Sequence, residues 1–164
     1  VGDAGLAHIT NMQKLEMLEL SFTRLGDAGM AHVGHLTNLK ELYADETMLT
    51  ASGLAHISRL GRLETLSLGN TSIKDDALTS LGQLEALKTL YLSGTAITDA
   101  GLAHLTSLTK LEVLHLRNTG ISDGGIGHVT PMSNLRIVSL NGTAVSEAGA
   151  KDLNEAMPNL QVNR

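Results

Sequence analysis

LKTLYLSGT, residues 87–95, is the stretch of sequence that determines the fold. Leu87, Leu90 and Leu92 occupy its first, fourth and sixth positions, and polar or variable residues lie between them. Alternation of apolar and other residues with a period of two is typical of a strand that buries one face. The stretch therefore predicts a short strand whose leucines face a core.

Close variants of this stretch recur at an interval of 24 residues, as from Leu63 to Leu87. The copies follow one another without linkers, so the whole chain is one repeat array. Each copy begins with a leucine, and these residues are Leu15, Leu39, Leu63, Leu87, Leu111 and Leu135.

Downstream of each strand the apolar spacing changes from two to three. Leu102, Leu105 and Leu108 follow this spacing, which predicts a short helical segment with one face on the core. Thr98 or Asp99 is expected to cap that segment at its N-terminus. The acidic position recurs as Asp3, Asp27, Asp75, Asp99, Asp123 and Glu147. Ala51 interrupts it, and there Thr50 or Ser52 is expected to cap instead.

Two further columns of residues recur with the repeat. A threonine follows every strand, and we expect its hydroxyl to form a hydrogen-bonded ladder between repeats. These residues are Thr23, Thr47, Thr71, Thr95, Thr119 and Thr143. A glycine lies two residues after the acidic position and is replaced once, by Ala77. Because alanine is tolerated there, the position is expected to exclude bulk rather than to require a positive φ.

The pattern L-x-x-L-x-L with a 24-residue period resembles the leucine-rich repeat family over all 164 residues. The D-x-G spacing is similar to that of ribonuclease-inhibitor-like repeats, and the variant T-D-A-G-L, residues 98–102, resembles a class common in bacterial repeat proteins. The resemblance implies an α/β fold, a right-handed solenoid shaped as a horseshoe arc. Its parallel sheet would line the concave face and its short helices the convex face. Threonine in place of asparagine departs from the inhibitor pattern, so that family's ligands are not transferred.

The organisation predicted from the repeats is a single domain over residues 1–164 with six strands. Residues 1–14 form a partial repeat, six repeats begin at the leucines named above, and residues 151–164 are expected to form a C-terminal cap. Residues 3–12 are expected to be helical. The partial repeat has no polar cap, which predicts that the native chain extends upstream of Val1. Self-association through this uncapped N-terminal end is the alternative.

Composition and motifs exclude several classes of function. The net charge is −5 and lysine and arginine do not cluster, which argues against nucleic-acid binding. No apolar run reaches membrane-spanning length, and the absence of cysteine excludes disulfides and thiolate metal sites. Neither phosphate-binding loops nor hydrolase or zinc-protease motifs occur. We therefore expect a protein that is not an enzyme and that uses no cofactor.

Two groups of residues invite interpretation as metal sites. Five histidines share one repeat position, but residues on neighbouring helices roughly 8–10 Å apart are too distant to ligate one ion. They are expected to be partly exposed on the outer face, and they are His8, His32, His56, His104 and His128. Glu41, Asp45 and Glu46 lack a glycine-centred calcium loop, so a solvated acidic patch is predicted there. No metal site is expected.

The residues that vary against the constant frame are the best indication of a binding surface. Strand positions three, five, seven and eight are predicted to point to the concave face, acidic in the first two repeats and carrying His115 and Arg117 in the fifth. Tyrosine, arginine and other large side chains dominate interface energetics. The candidate partner-binding residues are Met17, Glu19, Phe22, Glu41, Tyr43, Asp45, Tyr91, His115 and Arg117.

The function predicted from these observations is a protein- or peptide-binding scaffold that uses its concave face. The charge gradient along that face would orient a partner of opposite polarity. The chain is expected to be one module of a larger protein. The alternative is a structural spacer or self-association module without a specific concave ligand, in which substitutions on the concave face would have no effect.

Overall fold

A computed structural model describes residues 2–164 and shows one parallel sheet of seven strands in the order β1 to β7. Each strand residue pairs with the equivalent residue of the next repeat, as Leu42 does with Leu66 and Leu66 with Leu90. The predicted parallel sheet is thus confirmed. The strands are β1 (Met17–Glu19), β2 (Glu41–Tyr43), β3 (Thr65–Ser67), β4 (Thr89–Tyr91), β5 (Val113–His115), β6 (Ile137–Ser139) and β7 (Gln161–Asn163).

Short helices connect the strands, as the change of apolar spacing predicts. They are α1 (Asp3–Leu6), α2 (Asp27–Val33), α3 (Ala51–Ile57), α4 (Leu78–Leu81), α5 (Asp99–Leu102), α6 (Ile126–Val129) and α7 (Glu147–Ala156). Four of them are extended by one 3₁₀ turn, at Ala7–Ile9, Asp75–Ala77, Ala103–Leu105 and Asp123–Gly125. Helical structure at the N-terminus therefore ends at Ile9 rather than at residue 12.

The core is a continuous stack of aliphatic layers between the sheet and the helices. Leu63, Leu66 and Leu68 come from one strand segment and are fully buried. Leu102 and Leu105 close the same core from the helical side. Full burial of such a side chain contributes roughly 1.5–3 kcal/mol, and every repeat supplies several of them.

The prediction of six strands followed by a cap is wrong in one respect. Residues 161–163 form a seventh strand that pairs with β6, with Val138 opposite Val162. The end of the segment 151–164 therefore extends the sheet, while its first six residues belong to α7. The sequence signal was weak there because one extra residue breaks the leucine spacing, and only Leu160 and Val162 remain of the pattern.

The threonine column bonds within each repeat, not between repeats as predicted. The Thr71 hydroxyl donates to the carbonyl of Leu68 at 2.6 Å, and Thr47 and Thr95 bond their own repeats in the same way. The acceptor always lies three residues earlier, at the end of the strand. The threonine therefore closes the turn that leads out of the strand.

The aspartate column provides the connection between repeats instead. Asp75 accepts hydrogen bonds from the backbone N–H and the hydroxyl of Thr98, both at 2.7 Å. Asp123 makes the same pair of bonds to Ser146. We call this arrangement the carboxylate lock; it joins Asp27 to Thr50, Asp75 to Thr98, Asp99 to Ser122 and Asp123 to Ser146, while Asp3 makes only the backbone half of it, to the N–H of Gly26.

Helix capping follows a different pattern from the one predicted for Thr98 and Asp99. Thr98 occupies the position before α5, but its side chain makes no capping bond, and its hydroxyl donates to the lock. Capping by Thr50 is confirmed, since its hydroxyl oxygen accepts from the N–H of Ser52. Ser122 and Ser146 cap their helical segments in the same manner.

The glycine column follows from the lock. A Cβ atom on Gly53 would lie well inside van der Waals contact of Asp27 Oδ1, and one on Gly101 would meet Asp75 Oδ1 similarly. None of the column has a positive φ, so exclusion of bulk is confirmed. Ala77 is tolerated because the residue at the aspartate position of the preceding repeat is Ala51.

Alanine substitution at two glycines will separate this steric requirement from helix propensity. We expect Gly53→Ala to lower the free energy of unfolding by about 1–3 kcal/mol, because the new methyl group overlaps the carboxylate. Gly127→Ala, where an added Cβ contacts nothing, is expected to raise that free energy by about 0.5–1 kcal/mol. Urea unfolding of both variants measures the two effects.

Adding Asp27→Ala to Gly53→Ala recreates the Ala51–Ala77 arrangement and is expected to recover part of the lost stability. Equal responses of Gly53 and Gly127 to alanine would contradict the steric explanation.

Candidate functional site

All nine predicted binding residues lie on the strands or in the turns directly after them. Met17 and Glu19 belong to β1, Glu41 and Tyr43 to β2, Tyr91 to β4 and His115 to β5, while Phe22, Asp45 and Arg117 follow their strands in turns. Within the strands, these residues alternate with core residues such as Leu42 and Leu90, so their side chains are on the opposite face of the sheet. We call this surface the concave face.

The first end of the concave face is acidic and includes a carboxylate that binds a tyrosine. The Tyr43 hydroxyl donates to Glu41 Oε2 at 2.8 Å. This hydrogen bond, with burial and the nearby charge of Glu41, raises the pKa of Tyr43 to about 12. Glu19 Oε1 accepts from the N–H of Ser21 at 2.7 Å. Neither Glu19 nor Glu41 forms a salt bridge within residues 2–164.

Asp45 differs from the other acidic residues because its carboxylate is engaged with both neighbouring repeats. Oδ1 accepts from the Ser67 hydroxyl and from the Gly69 N–H, each at 2.6 Å, and Oδ2 accepts from the Ser21 hydroxyl at 3.2 Å. This carboxylate therefore stabilises the shape of the acidic end. The predicted role of Asp45 in contacting a partner stays a prediction.

The other end of the face carries an aromatic pair beside a cation. The rings of Tyr91 and His115 stack with centroids 4.7 Å apart and planes inclined by 4°. Such pairs contribute roughly 0.5–1.5 kcal/mol beyond their burial. Burial and, second, the neighbouring charge of Arg117 lower the pKa of His115. The lowered pKa favours the neutral form of His115, next to an exposed guanidinium.

The turn that follows each of the strands β1 to β6 contains a residue in the left-handed conformation. Asn70 and Asn118 adopt it, as do Gly94 and Gly142, residue types that tolerate a positive φ. Phe22 and Glu46 adopt it as well, with φ of 58° and 51°. Phe22 is therefore outside the strand in which the sequence placed it, and its side chain is 75% exposed at the rim of the concave face.

Sequence reasoning missed one strand of this surface and one exposed apolar residue that follows the turn after β2. This residue is Met48, which is 62% exposed and lies one repeat beyond Arg24. Gln161 and Asn163 belong to β7, and the Gln161 side-chain amide donates to Asn163 Oδ1 at 3.1 Å. The alternation of Gln161, Val162 and Asn163 was the available signal for this added strand.

The histidine column lies on the helical side of the molecule, as predicted. His8, His56 and His104 are exposed, and His32 and His128 are half-buried. No group of three or more histidine, aspartate or glutamate side chains within residues 2–164 is arranged to hold a metal ion. In the same range, no helix combines the length and apolarity needed to cross a membrane.

Titration of Tyr43 tests the geometry of the acidic end. In a Tyr91→Phe background Tyr43 is the sole tyrosine of a chain without tryptophan, so tyrosinate absorbance reports it alone. We expect a pKa of about 12, falling toward 10 when Glu41→Gln removes the charge. Because the folded-state pKa is raised, the stabilisation is complete below pH 10 and is lost as the pH rises through 12.

A Glu19→Gln variant provides the matched control, since Glu19 makes only a minor contribution to the pKa of Tyr43. A pKa of Tyr43 that responds equally to both substitutions would contradict the hydrogen bond to Glu41.

Many solved structures are similar to this chain, among them those of three bacterial proteins. An internalin C2 of Listeria monocytogenes aligns with a TM-score of 0.72 and 32% identity, over 82% of this chain and 55% of that chain. An internalin of the same species, inlF, aligns with a TM-score of 0.76 and 18% identity, over 96% and 49%. A leucine-rich repeat protein of Leptospira interrogans aligns with a TM-score of 0.62 and 16% identity, over 96% of this chain and 51% of that chain. The chain spans about half the length of each of these structures.

The family assignment rests on a match to nearly the whole chain. The family model described as a leucine-rich repeat region matches residues 5–162, whereas none of the curated proteins compared with the chain matches it. Proteins of this family are generally scaffolds for protein interaction. The sheet of stacked strands, the 24-residue repeat and this match establish that the chain belongs to the leucine-rich repeat family, in its bacterial form.

Proposed function

We propose that the chain is a protein- or peptide-binding scaffold that contacts its partner through the concave face, as one module of a larger protein. The observation that carries this proposal is Phe22. It is the only phenylalanine of the chain, and its side chain is 75% exposed. Its backbone has a conformation that is unfavourable for a bulky residue by roughly 1–2 kcal/mol.

The repeat itself holds the backbone here, since the Phe22 N–H donates to the carbonyl of Asp45 at 2.9 Å as that of Asn70 does to Ser93, so the position requires no bulky side chain. Asn70 and Asn118 occupy the same repeat position, and asparagine adopts the left-handed region much more readily. A residue that weakens the fold and exposes a large apolar surface supports a functional interpretation. Aromatic side chains of this kind are the usual anchors of protein interfaces.

The distribution of charges along the face indicates which charges a partner would carry at each of its ends. Glu19, Glu41 and Glu46 lie in the first two repeats, near the exposed side chain of Met17. Arg117 lies three repeats further along, next to the stacked Tyr91 and His115. The complementary partner is a segment with basic and apolar residues at one end and acidic residues at the other.

The chemistry of the face also favours binding over catalysis. Catalytic groups usually converge in a concave pocket that excludes water. Here Tyr43 and Asp45 are engaged in hydrogen bonds along an open sheet. These hydrogen bonds order the surface.

Selection from a displayed library of random peptides tests the proposal. We expect the enriched peptides to combine lysine or arginine with apolar residues. Amide chemical shifts should change on β1 to β5 when such a peptide is added, and should remain constant on α2 to α6. Enrichment of peptides whose shift changes map to the helices would overturn the proposal. A lack of enrichment would favour the structural spacer.

Phe22→Asn distinguishes the function of this residue from a structural role. We expect the free energy of unfolding of the variant to equal that of the unsubstituted chain or to exceed it by up to about 1 kcal/mol, because asparagine adopts the left-handed conformation more readily than phenylalanine. Binding of the selected peptides should weaken at least roughly tenfold, as for an interface anchor. Calorimetric titration and urea unfolding of the same preparation measure both quantities.

Glu85→Gln, in the exposed turn between α4 and β4, is the matched surface control and should change neither quantity. A stabilised Phe22→Asn variant with unchanged affinity would show that Phe22 is not an anchor.

A further inference from the structure

One junction between repeats lacks the carboxylate lock. The repeats beginning at Leu39 and Leu63 meet where Ala51 occupies the aspartate position and Lys74 the threonine or serine position. The backbone is altered at the same place. Elsewhere an N–H of one repeat donates to a carbonyl of the preceding repeat, as from Ala96 to Ile73 and from Gly120 to Ile97. The equivalent bond from Ser72 to Leu49 is not formed.

An open cleft of about 390 Å³ marks this junction on the helical side. Its lining residues come from both repeats: Thr50, Ala51, Ser52, Ser72, Lys74 and Asp76. The two repeats are thus joined there by apolar packing, with neither the lock nor the backbone bond that accompanies it at other junctions.

The sheet side of the same junction is reinforced. β2 and β3 pair in full register, and Asp45 bonds both the Ser67 hydroxyl and the Gly69 N–H of the next repeat. Asp45 is the only carboxylate at its position among the six repeats. The junction is therefore hydrogen-bonded along the sheet, whereas along the helices it is held by apolar packing alone.

We propose that this junction is a hinge at which the arc changes its curvature. The hinge pivots about β2, β3 and Asp45, and it opens or closes the cleft between α3 and the 3₁₀ turn Asp75–Ala77. Hinge motions concentrate in a few positions where interactions on one side are absent. The co-substitution of Ala51, Lys74 and Ala77 supplies such a position in an otherwise uniform array.

The hinge divides the concave face into two parts. Glu19, Glu41 and Glu46 lie on one side of it, while Tyr91, His115 and Arg117 lie on the other. A partner that contacts both parts would shift the population toward the curvature that it binds more tightly. The size of this shift is set by the difference between its affinities for the two curvatures. This consequence rests on the proposed function, whereas the hinge itself does not.

Distances between spin labels test the hinge without any partner. The chain has no cysteine, so labels can be introduced at equivalent, exposed positions. The pair Ala28→Cys and Asp76→Cys spans the hinge, and the equally spaced pair Ala100→Cys and Ala148→Cys spans two locked junctions. We expect a broader distance distribution across the hinge. Equal widths for the two pairs would overturn the proposal.

Transfer of the lock gives the decisive comparison. Ala51→Asp/Lys74→Thr/Ala77→Gly installs a lock and is expected to narrow the first distribution to the width of the second. Asp99→Ala/Ser122→Lys/Gly125→Ala removes a lock and should broaden the second distribution. Protection of the α3 amides against hydrogen exchange should rise roughly tenfold in the first variant. If both variants are folded and neither distance distribution changes its width, the proposed hinge is overturned.

Peptide affinity measured on the same variants separates the two proposals. A hinge that responds to the transfers while no peptide binds the concave face would leave the hinge standing and reject the proposed function.

Discussion

Every repeat of this protein must present the same surface to the next one, and this constraint of stacking governs the rest of the structure. The parallel register sets each strand residue opposite its equivalent in the following repeat, as Leu66 is opposite Leu90. A change at one position therefore acts on its counterpart in the neighbouring repeat. Stability in such an array is close to a sum of repeat and interface contributions. The aliphatic layers supply most of it, and the carboxylate lock aligns the helical side.

The sequence predicted the parts of the fold that depend on periodicity. Leu87, Leu90 and Leu92 indicated a half-buried strand, and the spacing of Leu102 and Leu105 indicated a helix; both are confirmed. The hydrogen bonds were harder to predict, because a column of equal residues does not reveal the direction of its side chains. Thr71 bonds a carbonyl three residues earlier, whereas Asp75 bonds a residue 23 positions later. Rules for local capping describe only contacts close in sequence.

The candidate site was predictable to the extent that strand alternation determines it. Tyr43, Tyr91 and His115 lie on the concave face because they alternate with buried leucines. The turns after the strands were not predictable in this way. The left-handed backbone of Phe22 and the bonds of Asp45 to two other repeats depend on turn geometry and on neighbours in space. These two features change the interpretation of both residues, since Phe22 is an exposed side chain on a left-handed backbone and Asp45 is a brace between repeats.

The link between aspartate, hydroxyl residue and glycine has a consequence for the design of artificial arrays from averaged repeats. A column-by-column average of this chain would place aspartate at residue 51, since that residue type dominates the column. That aspartate would collide with the methyl group of Ala77 unless residue 77 became glycine at the same time. Recombination of whole repeats is restricted in the same way, because each repeat carries the aspartate of one lock at one border and the hydroxyl residue and glycine of another lock at the other border. The transferable module is accordingly the boundary between two repeats, and evolution of such arrays should preserve boundaries more faithfully than individual repeats.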